Sequence, residues 1–326
     1  MGEAHARKIL NLAMNRSSST LFVRLSAPPA ADAAAAPRRA PLLERLLAGA
    51  DAQGTVEDWR REAFAGIAAA GEAYPGPCAA ALFRACGGVD AAAAFLATPV
   101  DYRPTMRGVQ LAPEGVLRLQ AAQASRLAQD FNRVFAGGGQ RLAAAADGAL
   151  FCLFEREVAA STHDPSEAQG LDIGAFQASG ADGPQLRRLM SEMEMWLFEH
   201  AVNRERAQAG EAAIGGLWLW GGGAPRPRPP RLTGWAAGAD VLFGALDRQT
   251  EFPRDGRSGV VVIDAPPGCA AWRGAEERWI LPAVEALGAG TLGRIALCAG
   301  RRTAGVGAGH RLRFWRRRRP WWESFR

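Results

Sequence analysis

The sequence predicts an α/β protein: a mostly parallel sheet flanked by helices, with a smaller α+β domain inserted into it. Three observations carry this. The last third alternates short apolar runs with helical patterns, and the runs at Val260–Ile263 (VVVI) and Arg294–Cys298 are continuous, as in strands buried on both faces. Thr20–Leu25 (TLFVRL) is a first strand of the same kind. Between them lies a stretch of turn signals and long helical patterns that does not follow the β-α-β order.

After the first strand, residues 26–39 are Ala/Pro-rich and read as loop. Pro41 opens a helix through Leu42, Leu43, Leu46 and Leu47, and Gly49 stops it. Helical patterns follow at residues 56–70 and 78–86. Residues 98–111 carry turns at Pro104 and Gly108 and predict a hairpin. A helix is expected over residues 113–135, a strand over 150–155, loop over 161–183 and one long helix over 184–209. The remaining expectations are a strand at 217–220, helices at 239–246 and 276–287, and the two apolar strands already named. The resulting division is a loosely packed extension over 1–19, an α/β core over 20–97 and 201–312, an insert over 98–200, and an Arg/Trp-rich tail over 313–326.

Hydrophobic residues make up 48 % and charged residues 22 %, which suits a chain that buries a real core. The formal charge is +6, and Lys8 is the single lysine. An Arg-for-Lys bias this complete, with abundant Ala, Gly and Pro, points to GC-rich codons, so much of the arginine carries no functional signal. Arg313 and the run Arg316–Arg319 hold most of the excess. Five cysteines, widely spaced and without a CxxC, argue against a disulfide framework and for reduced thiols in the cytoplasm. No run of about 18 apolar residues occurs, so no membrane span is expected, and the N-terminus lacks the pattern of a secretory signal.

Candidate chemistry is sparse. Gly221, Gly222 and Gly223 follow a strand and could form a phosphate-cradling nest or a plain connection; no Walker or dinucleotide pattern accompanies them. His163 and Asp164 read as an Asx-type turn. His200 ends the long helix, where a cation meets the negative helix terminus. Asp264 follows the VVVI strand, at the end where open α/β sheets serve ligands, but stands alone. The tail RLRFWRRRRPWWESFR interleaves Arg with aromatics. It either binds single-stranded nucleic acid or packs its tryptophans on the domain with Arg outside.

The run LMSEMEMWLFEHAVNRERAQAGEAAIGGLWLWGGG (189–223) resembles a segment of the archaeal-type 2,3-bisphosphoglycerate-independent phosphoglycerate mutases, and still more the bacterial RpfE-type regulatory proteins. His200, Asn203, Arg206, Gly210, Leu217, Trp218, Trp220, Gly221 and Gly223 fall on the family's His-Pro-x-Asn-x-x-Arg and Trp-x-Trp-Gly-x-Gly pattern, with Ala201 and Gly215 departing from it. Thr162, Asp164, Pro165 and Gly170 resemble the family's Thr-Asp-Pro-His-x-x-Gly loop. The resemblance implies an alkaline-phosphatase-like core, a lid-like insert and, in active members, two metal ions held by Asp and His beside a Ser nucleophile.

Here that equipment departs from the pattern. The first strand runs into Ser26-Ala27-Pro28-Pro29, and the strand at 294–298 into Gly300-Arg301-Arg302-Thr303, where the family places metal ligands. No metal site and no cofactor are therefore expected. The implied role is a non-catalytic regulatory or binding protein. It would take a protein partner or a phosphorylated small molecule at Asn203, Arg204, Arg206, Trp218, Trp220 and Gly221–Gly223. The alternative is an active Mn- or Zn-dependent mutase or phosphatase with relocated ligands drawn from Asp264, His200, His163 and His310. A second alternative is nucleic-acid binding through the tail.

Overall fold

The computed structural model describes residues 19–26, 38–86, 90–106, 108–224, 229–238, 240–247, 249–265, 267–313 and 315–325. It divides into two compact units, residues 1–74 with 230–326, and residues 75–229. The expected cuts at 97/98 and 200/201 both fall inside the second unit. The reason is strand pairing: Ala93–Thr105 is one continuous strand and pairs with Gly216–Gly223, so both flanks of the expected insert belong to it.

In the first unit, β1 (Thr20–Leu25) sits mid-sheet, with α1 (Pro41–Ala48), β2 (Ala52–Thr55) and α2 (Trp59–Ala65) following it. The chain returns after residue 229 as β8 (Trp235–Gly238) and β9 (Gly259–Val262), then a helical run Ala270–Ala289, then β10 (Arg294–Ala299) and β11 (Arg302–Gly307). The sheet order is β2-β11-β10-β1-β9-β8. Four strands, β10-β1-β9-β8, are parallel, and β11 and β2 add an antiparallel edge. Among the described strands, parallel pairing is confined to those four; one isolated parallel bridge joins Leu111 and Gln169 in the second unit. The second unit's sheet is antiparallel, so "mostly parallel" does not hold for the chain as a whole.

Alternation along β1 sorts its two faces. Leu21, Val23 and Leu25 are fully buried against Leu43, Leu46, Trp272, Ile280 and Leu287 of the covering helices. On the other face Phe22 stacks on Trp59 of α2. The helix expected over 276–287 begins earlier and widens into a π-turn at Glu276–Ile280. Pro282 has no N–H for the Arg278 carbonyl, which favours that widening. Gly290, at φ +78, then ends the run in the left-handed conformation.

The expected tail is part of this unit's core: Trp321 and Phe325 are buried and belong to the same apolar cluster. Residues 1–18 lie outside those described. Ser19 donates from Oγ to the Thr291 carbonyl.

The second unit begins with α3 (Pro77–Cys86), β3 (Ala93–Thr105), β4 (Gly108–Val116) and α4 (Ala121–Val134). β5 (Gln140–Ala144), β6 (Leu150–Phe154), α5 (Pro165–Ala168), α6 (Gly183–Phe198), α7 (Ala201–Gln208) and β7 (Gly216–Gly223) complete it. β3 pairs with β7 along one edge and with β6 and β4 along the other, while β5 lies outside β6. Phe95, Leu127, Phe131, Cys152, Met193 and Leu217 join the helices to one face of this sheet.

Three expectations change here. The helix expected from Pro113 starts at Ala121, because Pro113 and Gly115 lie in β4, where the register shifts against β3. A Cβ on Gly115 would approach backbone atoms of Ala112 and Asp101 within 2.8–2.9 Å. The single helix expected over 184–209 is two, broken at Glu199–His200. The expected loop at 161–183 holds a short helix capped by Asp164 and a 3-10 turn capped by Asp172. Among the described residues no helix is long and apolar enough to cross a membrane.

Candidate functional site

The carboxyl ends of the parallel strands in the first unit carry the charge that matters. Arg24 is the penultimate residue of β1, opposite Cys298 of β10 and Val262 of β9. A charged side chain in the run TLFVRL is out of keeping with its neighbours, and this was the one sequence signal for the site. Its Nη1 donates to Cys298 Sγ (3.2 Å) and to the Gly300 carbonyl (2.5 Å). Its Cζ lies 4.9 Å from the centroid of Trp59. Burial pushes the Cys298 thiol up; Arg24 pulls it down, and Glu62 adds to the rise. The sulfur therefore stays protonated at neutral pH and acts as a soft, neutral acceptor. Among the described residues Arg24 has no carboxylate within ion-pair distance, and the groups around its guanidinium are a thiol, a carbonyl and an indole face.

Arg60 provides the contrast. It also lies over Trp59, at 4.6 Å, but its guanidinium meets Asp240 at 2.8 Å in a nearly buried pair. Asp240 also accepts from the N–H groups of Leu242 and Phe243 (2.9 and 3.1 Å). Arg60 is neutralised by an acid that has its other lone pairs occupied. Arg24 is left as a half-buried cation at the strand ends, an arrangement that an incoming anion stabilises.

The residues singled out from the sequence have other work. Asn203 is buried and ties α7 to the following segment: it donates to the Leu197 and Ile214 carbonyls and accepts from the Ile214 N–H. Arg206 donates to the Ala212 carbonyl (2.7 Å), pairs with Glu211 (2.8 Å) and reaches Gln123. Arg204 is exposed and donates to the Glu199 carbonyl. Trp218 and Trp220 are buried, their indole N–H groups donating to the His163 carbonyl and Thr98 Oγ1. Gly221, Gly222 and Gly223 are the end of β7 and not a loop. A Cβ on Gly222 would meet the Phe95 ring at 2.1 Å, so that glycine makes room for an aromatic ring.

His200 begins α7 where it was expected to end a helix. Its Nδ1 accepts from the Val202 N–H (3.2 Å), while Nε2 faces Asp130 (3.2 Å). Burial lowers its pKa despite Asp130, so it caps as a neutral imidazole and not as a cation. His163 packs edge-on against Phe176. Asp264 is exposed just beyond β9, in the first unit, whereas His200 and His163 are in the second. The side chain of His310 lies outside the described residues. Among the described residues no three His, Cys, Asp or Glu side chains come together as metal ligands.

No protein-family model matches this chain, and no curated protein is detectably similar in sequence. Among solved structures it is similar to the cofactor-independent phosphoglycerate mutase of Thermoplasma acidophilum, at 15 % identity over 88 % of this chain and 89 % of that one, with a TM-score of 0.36. It is also similar to the PH0037 protein of Pyrococcus horikoshii, at 10 % identity over 89 % and 87 %, with a TM-score of 0.37. At that identity and those scores neither superposition assigns a residue or an activity to this chain.

Proposed function

We propose that this chain is a non-catalytic, phosphoglycerate-mutase-like binding protein, and that its first unit holds a phosphorylated or similarly anionic small molecule over Arg24. The carrying observation is that guanidinium, half-buried at the end of the central parallel strand, whose partners among the described residues are all neutral. A cation built into the strand end attracts an anion directly and repels a divalent metal from the same place. Residues that a mutase-like reading would put on substrate, such as Asn203 and Arg206, hold the second unit together instead.

The test is calorimetric titration and melting of the full chain with 3-phosphoglycerate as probe, with and without added Mn or Zn. Binding that raises the melting temperature without metal, and is lost in Arg24→Met, is the expected result. Metal-dependent turnover of the probe would instead establish the enzyme reading, with Asp264 the first ligand to examine.

A further inference from the structure

The six arginines of residues 313–326, set against the single acid Glu323, nearly equal the net charge of the whole chain. The structure gives that segment a fixed path. At one end, Arg313 Nη1 donates to the carbonyls of Gly49 and Ala50 (both 3.1 Å) and pairs with Asp51, and Arg316 Nη1 donates to Ala50 (2.9 Å). These are the carbonyls just past the C-terminus of α1, where the helix dipole favours cations. At the other end, the Trp321 indole is buried and donates to the Arg38 carbonyl (3.0 Å), and the Trp321 N–H reaches Glu44 (3.4 Å). Burial raises the Glu44 carboxyl's pKa, but the Arg39 fork and the Ala40 and Trp321 N–H groups more than offset this and leave it low. The segment therefore runs back along α1 from its C-terminal to its N-terminal end, pinned at both.

What lies between the pins faces water. Arg317, Arg318 and Arg319 are exposed, none with an ion-pair partner among the described residues, and Trp315 is 66 % exposed. Arg38, Arg39 and Arg45, on and just before α1, are exposed as well. Of the nearby acids, Glu44 is used by Arg39 and Asp51 by Arg313, and Glu323 is exposed close to Arg39, one carboxylate against the row of guanidinium groups. Guanidinium forks match phosphate oxygens two at a time, and an exposed indole is a stacking platform for any base. Holding them on a pinned segment lowers the ordering cost that a free tail would meet on binding. Against a membrane surface the same arginines would be attracted, but a single exposed indole offers little apolar area to insert.

We infer that the pinned segment Trp315–Pro320, with the arginines of α1 beside it, is a binding surface for single-stranded nucleic acid, a role separate from the anion site at Arg24. The probe is a fluorescein-labelled oligothymidylate, titrated with the full chain by anisotropy between about 50 and 200 mM salt. Binding is expected to weaken steeply with salt. Replacing Arg317, Arg318 and Arg319 together by Ser should flatten the slope of log affinity against log salt by about 2, at ~0.7 for each phosphate no longer neutralised. Trp315→Ala should lower affinity by about five- to a hundred-fold and leave the slope in place. Both variants alter exposed side chains, and unchanged melting temperatures verify their folds. Absence of binding at the lowest salt, or a triple variant with the parent's slope, overturns the inference. So does Trp315→Ala with the parent's affinity, or capture by phosphatidylserine vesicles under conditions where the oligonucleotide stays free.

Discussion

Arg206 in the second unit and Arg24 in the first are both arginines drawn out of water, and the structure treats them in opposite ways. Arg206 has a carboxylate, a carbonyl and an amide around it, and its side chain is 5 % exposed. Arg24 has a thiol, a carbonyl and an indole. The first arrangement satisfies a charge for the sake of the fold. The second leaves a charge for something else to satisfy. The same contrast runs through both units: polar groups of the WLWGGG region are spent on intramolecular ties, while in the first unit Arg24, Arg45 and Arg317–Arg319 have no ion-pair partner among the described residues.

The contrast can be broken by substitution. Asn203→Ala removes three buried hydrogen bonds and strands the Ile214 N–H and carbonyl, while the Leu197 carbonyl keeps the His200 N–H, so a loss of about 3 kcal/mol in denaturant unfolding is expected. A loss under about 1 kcal/mol would mean that this region is not held by its polar ties.

A smaller, pH-dependent effect is expected at His200. Its folded pKa lies below the 6.5 of a free imidazole, so the unfolded chain takes up the proton first as pH falls. Its contribution is therefore complete above about 6.5 and declines below that value, as protonation removes the Nδ1 lone pair that caps α7. Melting followed from pH 8 to 5 should show this decline in the parent and less of it in His200→Gln; parallel curves would refute the neutral cap.

The smallest effect is expected at Arg24. Replacing an unpaired half-buried charge by an apolar isostere is commonly neutral or stabilising, so Arg24→Met should change stability by no more than about 1 kcal/mol, with a gain favoured. A loss of several kcal/mol would mark Arg24 as a structural tie like Arg206 and remove the reason to place an anion there.

Periodicity in the chain was enough to locate β1 at Thr20–Leu25, the helix between Pro41 and Gly49, and the apolar strands either side of β1, since these depend on short-range alternation and local stop residues. The strands at Ala52–Thr55, Gln140–Ala144 and Arg302–Gly307 were not legible: each is short or weakly apolar, and is a strand because a neighbour supplies the hydrogen bonds. The same limit applies to the sites. That the WLWGGG stretch stands out is a property of its composition. That Gly222 yields space to Phe95, that Asn203 binds Ile214, and that Arg24 meets no acid among the described residues while Arg60 meets Asp240 180 residues away, depend on which side chains long-range packing brings together. Charge and pattern are written locally along a chain, but whether a buried charge is satisfied is decided by partners distant in sequence.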